Sequence, residues 1–125
     1  MKYVISLVPV TKKNSQRIII NSRTKRPMVL PSEKYKAYES AAGFYLQHDH
    51  EPIEEPVNVK CLYYMPTRRR VDLVNLQEAT LDVLVRWKVL ADDNSKIVVS
   101  MDGSRVLYDK EEPRTEIYIT KEDNA

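Results

Sequence analysis

Glycine is nearly missing from this chain: Gly43 and Gly103 are the only two in 125 residues. A glycine-rich dinucleotide fingerprint and a phosphate-binding P-loop are therefore excluded, because both need several glycines for tight turns and close backbone approach. Cysteine is as scarce. The single Cys61 rules out an intramolecular disulfide, a CxxC pair and a four-cysteine zinc site. Its alternating apolar neighbours predict a small buried hydrophobe rather than a nucleophile. The two histidines, His48 and His50, are too isolated for an HExxH zinc motif, and no serine sits in a nucleophile elbow. Surface exposure or adventitious metal binding suits them better than catalysis. No apolar run approaches the roughly 18 residues of a membrane span, and the N-terminus has no signal-like stretch. The expectation is a soluble, cytoplasmic protein with no membrane contact. Excess charge is also absent: 20 Lys and Arg against 18 Asp and Glu leave a formal +2. The chain as a whole has no polyanion-binding character, so the placement of charge must carry any such argument.

The length fits one small domain, expected over residues 1–120 with a short polar tail at 121–125. Tyr3 to Val8 reads as a strand ending before Pro9, followed by a polar loop through Ser15. Arg17–Ile20 and Pro27–Leu30 read as the arms of a ribbon around Asn21-Ser22. Ser32 suits an N-cap for a helix from Glu33 to about His48, with Tyr35, Tyr38, Ala42 and Tyr45 on its buried stripe. Val57, Val59, Cys61, Tyr63 and Met65 alternate as one buried face of a strand. Leu73 to Trp87 is the strongest helical pattern, with Leu73, Leu76, Thr80, Val83, Leu84 and Trp87 facing a core and Asn75, Glu78, Asp82 and Arg86 elsewhere. Strands follow over Ile97–Met101, Arg105–Tyr108 and Thr115–Thr120. Two principal helices with about five to seven strands predict a compact α+β domain with a mixed or mainly antiparallel sheet.

The stretch that carries chemistry is Arg68-Arg69-Arg70-Val71-Asp72-Leu73-Val74-Asn75, with Asp92-Asp93 beyond the helix. The helix is only roughly 22 Å long, so the six residues Lys88 to Asp93 can bring the late carboxylates back along it if the chain reverses. Carboxylates gathered this way hold magnesium through oxygen ligands, orient a water and neutralise a scissile phosphate. The plainer reading also fits: Asp72 is a good N-cap, and Asp92-Asp93-Asn94-Ser95 is a good turn. Arg68, Arg69 and Arg70 suit phosphate oxygens, or form a solvated surface. Lys12, Lys13, Asn14 and Arg17 extend the same surface if the loop folds toward it. Of Tyr63 and Tyr64, one ring belongs in the core and the other outside, as cover or as a base-stacking platform.

On these residues the sequence resembles the RusA family of Holliday junction resolvases. The resemblance covers nearly the whole chain: the early strand and the Pro9-to-Asn14 loop, Arg69 to Leu76, the long helix through Asp82, and Asp92-Asp93. Asp102-Gly103-Ser104-Arg105 and Pro113-Arg114-Thr115-Glu116-Ile117 look like the branch carried by prophages of Gram-positive bacteria. The resemblance implies a homodimer that binds four-way DNA junctions and makes paired cuts with Mg2+, Mn2+ being a possible substitute. The family core is Asp-Leu-Asp-Asn, with a lysine four residues after the second aspartate and a late aspartate. By position, Asp72 matches the first aspartate, Asn75 the asparagine and Asp93, beside Asp92, the late one. Val74 and Glu78 replace the second aspartate and the lysine.

The expected catalytic set is therefore Asp72, Glu78, Asp92 and Asp93, with Asp72, Glu78 and Asp93 on the metal. Asn75 joins the three arginines and Lys12, Lys13, Asn14 and Arg17 on the DNA. Val74 has no oxygen to donate. Positions 74 and 78 share a helical face, so the longer Glu78 side chain is the expected replacement ligand. The alternative is a catalytically deficient relative that still binds junctions.

Overall fold

The computed structural model describes residues 1–12, 17–30 and 32–122. Lys13 and Asn14 lie outside the described residues, as does the Arg17 side chain, so the DNA contacts expected of them have no structural counterpart here. In chain order the elements are β1 (Lys2–Ile5), β2 (Arg17–Ile20), β3 (Pro27–Leu30), α1 (Glu33–Tyr45), β4 (Val57–Met65), α2 (Leu73–Arg86), β5 (Val98–Ser100), β6 (Arg105–Tyr108) and β7 (Arg114–Lys121).

β4 is the spine of a five-stranded mixed sheet, which meets the α+β expectation. β7 runs antiparallel along one side of it, from Val57 opposite Lys121 to Tyr64 opposite Arg114, and β1 is antiparallel to β7. The other edge is shared by two short parallel strands: β5 beside Val57–Asn58 and β6 beside Leu62–Met65. The predicted alternation holds from Val57 to Tyr63, with Val57, Val59, Cys61 and Tyr63 all buried, while Met65 at the strand's end is half-buried. Burial pushes the Cys61 thiol up to about 12, which removes the thiolate needed for nucleophilic chemistry near neutral pH.

Both helices share one core with this sheet. Tyr38, Ala42 and Leu46 meet Leu76, Val83 and Leu84 over Val59, Cys61, Ile117 and Ile119. The Tyr63 hydroxyl donates to Thr80 Oγ1 at 2.7 Å, and that oxygen donates in turn to the Leu76 carbonyl at 2.9 Å, so a polar pair is satisfied inside an apolar layer. Where α1 meets α2, the Trp87 indole N–H donates to the Glu39 carbonyl at 2.8 Å, and Gly43 lies against the ring.

Several boundaries differ from the sequence reading, two of them by three residues. β1 stops at Ile5 rather than Val8, because its partner β7 begins at Arg114 and Ile5 already faces Thr115. α1 stops at Tyr45 rather than near His48, because buried Leu46 turns into the core and its N–H closes on the Gly43 carbonyl at 3.2 Å. The last strand runs through Lys121, one residue past the expected Thr120. The histidines are also less idle than expected. His50 Nδ1 donates to the Glu51 carbonyl at 2.7 Å, so Nε2 accepts from the Tyr3 hydroxyl at 2.9 Å. His48 stacks on it with 4.0 Å between ring centroids and reaches the Trp87 carbonyl at 3.2 Å. The pair fastens the connector after α1.

Candidate active site

Asp72 occupies the N-cap position of α2 with extended backbone, yet its carboxylate accepts no bond from the helix N–H groups. The capping role open to it in the sequence is thus not performed. Its near neighbour is Asn75, whose amide lies 3.5 Å from Asp72 Oδ2. The carboxylate is exposed and keeps its oxygens available to a cation.

The chain after α2 does reverse. Lys88 takes a left-handed φ of 62°, and the N–H groups of Val89 and Leu90 both return to the Leu84 carbonyl, at 2.9 and 3.3 Å. A bridge between Leu90 and Ile53, with the Ala91 N–H donating to the Ile53 carbonyl at 3.0 Å, pins the returning strand. The two late aspartates then part in role. Asp92 accepts from the Asp93 N–H at 2.8 Å with one oxygen and from the Asn94 amide at 2.9 Å with the other. These bonds hold its carboxyl below the usual range, as expected of a turn-forming aspartate. Asp93 moves the opposite way: partial desolvation, then the charges of Asp92 and Asp82, raise its carboxyl. It is a carboxylate among carboxylates, which a divalent cation would relieve.

Asp82 was placed on this helical face by the sequence but not in the site. The structure makes it the hub. Lys12 reaches across from the loop after β1 to donate to Asp82 Oδ2 at 2.7 Å, and its ammonium is held charged by that bond and by the fields of Asp82, Glu78 and Glu39. Its ammonium also lies 5.5 Å from the Tyr35 ring centroid. Lys12, expected on the DNA, is thus committed to the acidic face as placed. The signal available in the sequence was the i, i+4 spacing of Glu78 and Asp82; a lysine seventy positions away gave none. Asp72 and Asp82 are separated by about ten residues of helix, roughly 15 Å along its axis. Among the described residues, no three His, Cys, Asp or Glu side chains converge as a metal-binding group, so the expected cage of Asp72, Glu78 and Asp93 is not assembled in this arrangement.

The cationic side is assembled. Thr11, Lys34, Arg69 and Arg70 line a depression of about 580 Å³, floored by Val10, Met65 and Val71. A second dip beside it is lined by Arg70, Val71, Asp72 and Asn75, so Arg70 and Val71 join the basic hollow to the first aspartate. Arg69 and Arg70 are exposed and enter no ion pair among the described residues. Arg68 instead lies over the Tyr108 ring, 4.2 Å from its centroid. Tyr64, the outer of the two tyrosines, is covered by Arg114 at 3.8 Å, and that arginine is held by Asp109 and Glu116 at 2.9 and 2.7 Å. One face of the Tyr64 ring is therefore closed to base stacking. Replacing Arg69 or Arg70 by alanine is expected to weaken binding to junction DNA and lower the slope of log affinity against log salt by about one unit per lost phosphate contact. Titrations at several salt concentrations would measure this, and unchanged slopes for both would reduce the pair to solvated surface.

A basic hollow runs into a helix that starts with an exposed aspartate, with further carboxylates along it, in a small α+β protein. Residues 7–120 match the family Endodeoxyribonuclease RusA, and the chain belongs to that family of Holliday junction endonucleases. The match is to the family as a whole rather than to a branch of it. Comparison with curated proteins gives no match.

Proposed function

We propose that this chain is a magnesium-dependent endonuclease that resolves four-way DNA junctions by paired cuts, in recombination or replication of phage or prophage DNA in the cytoplasm. The observation that carries the reading is the continuity of the Arg69–Arg70 hollow with Asp72 and Asn75, inside a chain of the RusA family. Guanidinium groups there hold the phosphodiester by its non-bridging oxygens, and Asn75 keeps the Asp72 carboxylate oriented.

The donor chemistry suits magnesium. Its ligands are hard oxygens, and Mg2+ is commonly held by one or two carboxylates completed by water and substrate phosphate rather than by an all-protein cage. Asp72 at the start of α2 and Asp93 beside Asp82 are the carboxylates proposed to serve in this way, each completed by water and substrate phosphate, with Glu78 on α2 a further candidate; the absence of a helix bond to Asp72 and the Asp92 and Asp82 charges around Asp93 support this. The ion, when bound, activates water and offsets charge on the phosphate. Symmetric cuts need two sites related by a two-fold axis, so the working unit in this reading is a homodimer. Among the described residues, no helix is long and apolar enough to cross a membrane.

The test is a labelled synthetic four-way junction beside a linear duplex of the same sequence. Paired nicks in the junction with Mg2+ or Mn2+, silence in EDTA and a largely intact duplex are expected. Equal cutting of both substrates would make the chain a general nuclease. Tight junction binding without cutting in either metal would make it a catalytically deficient relative.

A further inference from the structure

The near-neutral total charge hides a strong asymmetry along the chain. The first 32 residues contain Lys2, Lys12, Lys13, Arg17, Arg23, Lys25 and Arg26 and no aspartate or glutamate. All 18 acids lie after them. Part of this basic segment folds into the β2–β3 ribbon, a two-stranded sheet of its own that joins none of the five strands of the main sheet.

The ribbon's tip is a built turn. Asn21 Oδ1 accepts from the Arg23 and Thr24 N–H groups at 2.8 and 3.1 Å, the Lys25 N–H donates to the Asn21 carbonyl at 2.7 Å, and the Asn21 N–H closes the turn on the Arg26 carbonyl at 3.0 Å. Lys25 sits at a left-handed φ of 58°. This turn holds Arg23, Lys25 and Arg26 together at one end, all exposed and none in an ion pair among the described residues. Ile20, where the strand enters the tip, is 71% exposed.

Such cations cost the fold something in mutual repulsion and gain nothing from it internally, so a polyanion outside the fold is the partner their chemistry fits. The ribbon's shape points the same way: a two-stranded ribbon fits the major groove of B-form DNA. Its roots also lie at the candidate site. On one side the chain leaves Lys12, paired with Asp82; on the other it enters α1 at Ser32, two residues before Lys34 in the basic hollow.

We infer that the β2–β3 ribbon is a second DNA-binding element, separate from the Arg69–Arg70 hollow, which grips one duplex arm of the substrate through backbone phosphates contacted by Arg23, Lys25 and Arg26. This rests on the proposed action on junctions. The phosphates are read as charge, without base identity, so the ribbon adds affinity and orients an arm while chemistry remains at α2.

The experiment compares the full-length chain with the combined variant Arg23→Gln, Lys25→Asn and Arg26→Gln, asparagine being chosen because it tolerates a left-handed backbone. The variant should keep the parent's melting curve and lose roughly tenfold or more in junction affinity at moderate salt, with a salt slope lower by about two to three units. Turnover of fully bound junction should stay within about twofold. Arg23→Lys with Arg26→Lys should restore nearly all the slope, since phosphates respond to charge. Junctions with arms trimmed close to the crossover should erase the difference between parent and variant. A variant that matches the parent in affinity and slope on long-armed junctions overturns the ribbon inference alone. A parent that binds no DNA overturns both it and the proposed function.

Discussion

Asparagine in place of Asp72 or Asp93 is expected to abolish most junction cleavage, with turnover falling roughly hundredfold or more, while junction affinity stays within a few-fold of the parent. Each change removes one ligand charge at nearly constant shape. The fold should tolerate both. Asp72 makes no capping bond that asparagine would lose, and asparagine caps helices as well as aspartate does; Asp93 is exposed. Single-turnover cleavage of prebound junction, read beside binding, separates chemistry from affinity. Asp92→Asn should act mainly on the turn, since both of its oxygens are engaged locally. Because the Asp93 carboxyl is raised, protons compete with metal there at a higher pH than at an ordinary aspartate, and activity should begin to fall correspondingly early on acidification. Glu78→Gln separates the possible ligands further. An unchanged rate and magnesium dependence would leave Glu78 as a helix-surface carboxylate beside Lys12. Full cleavage by Asp72→Asn and Asp93→Asn would remove the proposed site altogether.

The largest stability effect expected from a small change is at Gly43→Ala. Within a helix this substitution ordinarily stabilises by up to about 1 kcal/mol. Here a methyl group would come within 2.6 Å of two ring carbons of Trp87, and the ring cannot swing away without giving up its bond to the Glu39 carbonyl. Overpacking of this kind costs about 1–3 kcal/mol, which outweighs the propensity gain, so a drop of several degrees in Tm is expected. Denaturant unfolding would check it, and a variant as stable as the parent would show that the two helices can part without cost. Gly43→Ala combined with Trp87→Leu should recover part of the loss if the clash is the cause.

The sequence by itself determined whatever follows from local pattern. The alternation of Val57, Val59, Cys61 and Tyr63 specified β4 because a strand turns alternate side chains to one face. The stripe from Leu73 to Trp87 specified α2 because its period matches the helix, and the polar tip between two short apolar runs specified the β2–β3 ribbon. The resemblance carried by Arg69 to Leu76 and by Asp92-Asp93 reached the family. Only the tertiary structure decided which groups those residues meet. It showed Asp72 at the cap position without capping, Asp92 bound into its turn while Asp93 shares a field with Asp82, Lys12 spent on Asp82, and Arg68 and Arg114 drawn onto tyrosine rings. It also ended β1 at Ile5, where β7 runs out of partner residues, and made Gly43 a point of close approach to Trp87. Periodicity is a property of neighbours in the chain and can be read along it. Which charge meets which depends on the pairing of segments tens of residues apart, where a displacement of a few ångströms turns a ligand into a cap, a turn or an ion pair.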